Sequence, residues 1–85
     1  MNVKYTVKNV DTGWVFSGVF NEEEDLEMQL MKHFGITPGH GIGVNIDGDR
    51  IELSDYYHAS SMAEFAILSR EETQEPVSSE WQKIK

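Results

Sequence analysis

Residues 2–8 alternate strictly in polarity, with Val3, Tyr5 and Val7 on one side and Lys4, Thr6 and Lys8 on the other. A period of two belongs to a strand and not to a helix, so the chain starts on a half-buried β-strand. Asp11-Thr12-Gly13 is a turn signal, and Trp14–Phe20 reads as a second strand. Antiparallel pairing with partner numbers summing to 23 or to 25 puts Phe16 and Phe20 on the face of Val3, Tyr5 and Val7. Both registers share parity, so the core face is fixed even where the turn is not. Gly18, inside the strand, points to a bulge or to a close backbone approach.

Asn21 reads as a helix N-cap with Glu24 three residues on, the spacing of a capping box, and the acidic first turn suits the positive end of a helix dipole. Leu26, Leu30 and Phe34 form an apolar stripe with Met31 at its edge. Lys32 and His33 fill the last turn and Gly35 follows as C′, which predicts a helix over 22–34. Residues 35–43 then hold four of the seven glycines, and Thr37-Pro38-Gly39-His40 fits a type II turn. Gly43–Ile46 and Arg50–Leu53 read as a hairpin turning on Gly48-Asp49, which pairs Ile46 with Ile51, Val44 with Leu53 and Asp47 with Arg50. Beyond it, Ser61 to Glu64 resembles a second capping box, and Met62–Leu68 shows no period of two, so a second helix is expected there, with a short buried strand as the alternative. The last residues are polar, broken by Pro76. Val77, Trp81 and Ile84 share one side at i, i+4, i+7 spacing. The expectation is therefore one α+β domain over 1–72, in the order β-β-α-β-β-α, with a mainly antiparallel sheet and a helix packed on one face. Residues 73–85 would be a polar tail with a short amphipathic segment.

Composition removes several function classes. The chain of 85 residues has no cysteine, which excludes disulfide scaffolds, thiolate zinc sites and thiol nucleophiles and fits a cytoplasmic protein. No apolar run approaches the ~20 residues of a membrane span. Fifteen acids against seven bases give a net charge of −8, which repels phosphate backbones and argues against direct nucleic-acid binding. Gly39-His40-Gly41-Ile42-Gly43 lacks both the G-x-G-x-x-G spacing and a following Lys-Ser/Thr, so it reads as a connection rather than a phosphate cradle. An EF-hand fails in both frames: from Asp47 the twelfth position is His58, and from Asn45 the required glycine is Arg50. His33, His40 and His58 form no H-E-x-x-H, and there is no G-x-S-x-G. The chain is expected to be no enzyme, with no cofactor, no metal and no catalytic residue.

Position gives the charge a meaning. From Asp11 to Met31 there are six acids and no base, and from Asp47 to Glu80 nine acids against Arg50 and Arg70. Glu22, Glu23, Glu24, Asp25 and Glu27 form one candidate patch, and Asp47, Asp49, Glu52 and Asp55 another. Tyr56 and Tyr57 cannot both point inward, and Trp81 lies in a polar stretch. These three are candidate contact aromatics, because Tyr and Trp concentrate at binding hot spots. Size, acidity, missing cysteines and an α+β pattern together make the chain resemble small acidic inhibitors of phages and mobile elements, the anti-restriction and anti-CRISPR proteins, some of which mimic DNA. No specific family motif is matched. The resemblance implies a non-enzymatic protein that docks on the basic surface of a host or defence protein that handles nucleic acid. Two alternatives stand beside it. One is a small-molecule or nucleotide-signal-binding module, which needs a concave pocket lined by bases such as Lys4, Lys8 or Arg50. The other is an assembly subunit that docks through Val77, Trp81 and Ile84.

Overall fold

The computed structural model describes residues 1–33, 42–55, 57–58, 60–78 and 80–85, except for the side chains of Ser60 and Ser61. The expected type II turn at 37–40, Phe34, Gly35 and Tyr56 lie outside the described residues. Among those described, the elements are β1 (Asn2–Asn9), β2 (Val15–Asn21), α1 (Leu26–His33), β3 (Ile42–Asp47), β4 (Arg50–Asp55), β5 (Ser60–Thr73) and β6 (Gln82–Lys83). All strands pair antiparallel in one sheet of order β3-β4-β5-β1-β2-β6.

This corrects the expected α+β order. Among the described residues the chain is mostly antiparallel sheet with a single short helix. The segment expected as a second helix is β5, at fourteen residues the longest strand. Two β-bulges disguise it. Thr6 and Val7 pair with Ser69 and Ile67, and Leu53 and Ser54 pair with Ala63 and Ser61, so Leu68 and Met62 are the extra residues. Both are exposed, while Ala63 and Phe65 are buried. The strand's alternation is thus overwritten by the apolar residues its bulges turn outward. The one helix has eight residues, about 12 Å of axis, against a sheet about 24 Å across, and it cannot cover a whole face.

The first hairpin follows the register with sum 23: Val3 faces Phe20, Tyr5 faces Gly18 and Val7 faces Phe16. At its turn Asn9 is buried, and its Oδ1 accepts hydrogen bonds from the N–H groups of Asp11 (2.9 Å) and Thr12 (3.1 Å). Gly13 supplies the positive φ of +78°. Gly18 is a close approach and not a bulge, because the ladder runs through it unbroken. A Cβ there would lie 2.7 Å from the Phe20 ring and 3.2 Å from that of Trp81. The second hairpin has the expected pairs, Ile46–Ile51, Val44–Leu53 and Asp47–Arg50, around Gly48 at φ +61°.

The core gathers Val7, Phe16, Phe20, Ile51, Leu53, Ala63 and Phe65 from the sheet with Leu26, Leu30 and Met31 from α1, and Trp81. Of residues 73–85, expected as a tail, Thr73 ends β5, Glu75 lies against Asn2 and Lys4 of β1, and Ser78 and residues 82–85 line the outer edge of β2. Val19 O accepts from Ser78 N at 2.9 Å, Val15 O accepts from Ile84 N at 2.8 Å, and Lys85 O accepts from Val15 N at 3.0 Å. Trp81, 5% exposed, stacks against Phe20 at a centroid distance of 4.8 Å.

Candidate functional site

The ladders of β1 place charges that are remote in sequence at one end of the sheet. Asn2 lies opposite Asn21 on one side and Thr73 on the other. The turn that follows Asn21 carries Glu22, Glu23, Glu24 and Asp25, and the last turns of β5 carry Glu71 and Glu72, opposite Lys4 and Val3. All six acids are exposed, and none forms a salt bridge among the described residues. A seventh, Glu75, bonds to Lys4 Nζ at 3.4 Å and accepts from Thr73 Oγ1 at 3.2 Å.

Local geometry holds the first four acids outside the helix. Asn21 is fixed by the β1 ladder, so the chain must turn before it can wind. The Asn21 Oδ1 accepts from Glu23 N (3.0 Å) and its carbonyl from Glu24 N (3.0 Å), an Asx-type turn instead of the expected cap of a helix starting at 22. The helix begins at Leu26, with the Asp25 carbonyl accepting from Gln29 N at 3.2 Å. Glu27, in the first turn of α1, is only half-exposed.

The other end of the β1–β2–β6 region carries three lysines beside the exposed Asp11 of the β1–β2 turn. Lys8 faces Val15 and Lys83 faces Phe16, with Lys85 beside Val15. The Lys83 ammonium sits 3.9 Å above the Trp14 ring, a cation–π contact. Six residues of strand, from Asn2 to Lys8, separate the two ends by about 20 Å.

The second expected patch does not assemble. Asp47 and Asp49 sit exposed at the β3–β4 turn, where Asp47 faces Arg50. Arg50 itself bonds Glu64 Oε1 at 3.2 Å. Glu52 faces Glu64 on the face opposite Ile51 and Leu53. Asp55 ends β4 and organises the residues after it: its Oδ1 accepts from Tyr57 N (3.0 Å) and His58 N (3.2 Å), and its Oδ2 meets His58 Nδ1 at 2.8 Å. The hydrogen bond with the His58 side chain holds the Asp55 carboxyl below its usual range. Four strand spacings, about 19 Å, lie between β2 and β3, so the two acidic sets stay apart. Tyr57 is exposed beside Asp55, whereas Trp81 belongs to the core and is not presented to a partner. Sequence reasoning left out Glu71, Glu72 and Glu75, which only a β1–β5 pairing brings to the acidic end.

A cavity of about 200 Å³ opens beside Trp81, lined also by Phe20, Gln29, Lys32, His33 and Glu80. Burial pushes the His33 imidazole below its usual value, and the Glu80 carboxylate offsets part of that shift. The Trp81 Nε1–H is buried with no hydrogen-bond partner among the described residues. Lys32 and His33 share this lining with the Glu80 carboxylate, which does not make the base-lined pocket that sequestering a nucleotide requires. Among the described residues, no three His, Asp or Glu side chains are grouped to hold a metal, and no helix is long and apolar enough to cross a membrane.

Comparison with protein-family models, with curated proteins and with solved structures gives no match.

Proposed function

We propose that this chain is a non-catalytic, cytoplasmic binding protein whose acidic end docks on the basic, nucleic-acid-binding surface of another protein, acting as an inhibitor by occupying sites built for phosphates. The observation that carries the reading is the shared row Asn2–Asn21–Thr73, which sets Glu22, Glu23, Glu24, Asp25, Glu71 and Glu72 around one end of the sheet. With Lys8, Lys83 and Lys85 against Asp11 at the opposite end, the β1–β2–β6 region has a charge axis, in a chain of net charge −8. Such an axis orients the acidic end toward a positive surface during approach and speeds productive encounter. Attraction of this kind weakens as salt screens it, over about 8 Å at physiological ionic strength. Neither alternative gains comparable support: the cavity beside Trp81 sets Lys32 and His33 against Glu80, a second hollow has Lys4 paired with Glu75, and burial of Trp81 removes the central residue of the expected assembly face.

The test is capture of the nucleic-acid-binding fraction of a bacterial lysate on the immobilised chain, with elution by salt and competition by duplex DNA. Reversing Glu23, Glu24, Glu71 and Glu72 to Lys is expected to abolish capture while leaving the circular dichroism spectrum unchanged. Reversing Asp47 and Asp49 should matter much less. Undiminished, DNA-displaceable capture by the fourfold variant at low salt overturns the assignment.

A further inference from the structure

We propose that the outer edge of β3 is a self-association surface, on which a second copy of this chain adds its own β3 antiparallel and continues the sheet across a two-fold axis at Val44. The backbone comes first. Ile67 N–H donates to the Asp49 carbonyl at 2.7 Å, and Ile51 faces Phe65, so the odd-numbered residues of β4 direct their peptide groups at β5. Arg50, Glu52 and Ser54 then face β3, and their partners Asp47, Asn45 and Gly43 use up the β3–β4 ladder. The N–H and C=O groups of Ile42, Val44 and Ile46 are left pointing outward from the terminal strand of the sheet, with no bond to another strand among the described residues.

Side chains follow the same pattern. Val44 is 41% and Ile46 56% exposed, on the face where their partners Leu53 and Ile51 are buried. Sheet edges are ordinarily blunted by lysine, proline, a bulge or brevity. The opposite edge shows such protection: β6 is two residues long, ends in Lys83 and is followed by Lys85. Six-residue β3 contains no lysine, proline or bulge.

The strand is complementary to itself. Centring the pairing on Val44 places Val44 against Val44 of the second copy, Ile42 against Ile46 and Gly43 against Asn45. Every outward N–H and C=O meets its complement, apolar side chains face apolar side chains, and Asp47 falls outside the paired stretch. Charge layout favours the same occupant. The copies meet along an edge whose one acid is Asp47, while Glu22 to Asp25 follow β2, four strand spacings or about 19 Å across the sheet, and Glu71 and Glu72 lie at the end of β5 beyond its pairing with β4. A foreign strand has no such matched register to recommend it.

This proposal does not rest on the docking function, and salt separates the two. Each copy carries −8, so screening tightens self-association, whereas it loosens docking on a basic surface. Sedimentation equilibrium of the full chain from micromolar to millimolar concentration is expected to show the mass doubling, at lower concentration in high salt than in low. Val44→Pro removes only an outward N–H and is expected to remain a monomer throughout, with an unchanged melting curve. Ile46→Lys, at an exposed position, gives the same reading should the proline disturb β3. Because the chain has no cysteine, Val44→Cys introduces a lone thiol. Across the axis, Cα atoms about 5.5 Å apart lie within disulfide reach, so this variant should cross-link under mild oxidation at least about tenfold faster than Asn45→Cys. A monomer at every concentration and salt, a dimer that survives both β3 variants, or equal cross-linking rates would overturn the proposal.

Discussion

Ile46 and Ile51 are cross-strand neighbours on the same face of one hairpin, yet Ile46 is 56% exposed and Ile51 only 2%. Chemistry and register are identical, so the difference comes from what lies over each strand. Ile51 shares its cluster with Phe65, the buried residues of α1 and Trp81, whereas Ile46 lies outside that cluster. Across the sheet, Phe16 and Phe20 are both buried: His33 meets the Phe16 ring edge-on at 4.9 Å, and Trp81 meets Phe20 at 4.8 Å. A short helix and one tryptophan cover part of a six-stranded face, and Val44 and Ile46 of the terminal strand β3 stay exposed. Coverage, rather than the hydrophobicity of a strand, divides core from surface here.

Removing the cover is the strongest way to break that contrast. Trp81→Ala is expected to cost about 3–5 kcal/mol in urea unfolding, since it empties the space over Phe20 and Gly18. A loss no larger than for an exposed substitution would show that Trp81 is not part of the cover. The isoleucine pair itself gives the next test. Ile51→Ala should destabilise by about 2–5 kcal/mol and Ile46→Ala, measured in dilute monomer, by no more than about 0.5 kcal/mol. Equal values would erase the distinction between the two strands. Gly18→Ala should follow, at about 1–3 kcal/mol, because its new methyl group meets the Phe20 and Trp81 rings. Combining it with Trp81→Leu should cost less than the sum of the two single changes, as expected for residues that share one space.

The smallest effect is in pH. His33 has a folded pKa below its ordinary 6.5, chiefly through burial. The unfolded chain therefore binds the proton more readily, and unfolding takes one up between the two pKa values. The contribution to stability is complete above the ordinary value, declines as the pH falls through it, and levels off below the folded value. Melting midpoints should fall modestly between about pH 7.5 and about pH 5.5, a range set by the histidine titration. His33→Gln should flatten that part of the profile, and an unchanged slope in the variant would remove His33 as its source.

What the sequence disclosed was local. The alternation of Val3, Tyr5 and Val7 and the pairing of Asp47 with Arg50 each specify a hairpin from neighbouring residues, and both appear as expected. Only long-range pairing identifies the rest. Met62 and Leu68 hide the period of β5 because each is the unpaired residue of a bulge, and bulges depend on the partner strand. The spacing of Val77, Trp81 and Ile84 suggests a helical face, but β2 offers the segment an edge, and the backbone of Ser78, Ile84 and Lys85 bonds to it. At Asn21 the capping-box pattern loses to the β1 ladder, which holds that residue in a strand. The site divided in the same way. Glu22 to Asp25 stood out as a run, while Glu71 and Glu72 join them only because β5 ends beside the start of β1.

Strand β1 is bonded on one side to β2, its neighbour in sequence, and on the other to β5, so that Asn2 meets both Asn21 and Thr73. The first ladder can zip from its own turn, but the second must bring Asn9 to Phe65 across more than fifty residues, and loops of that length slow folding. The β1–β2 hairpin should therefore form early and wait with one edge of β1 unpaired. That edge carries Lys4 and Lys8 among its outward residues. Their charge keeps the waiting hairpin from pairing with other chains until β5 arrives.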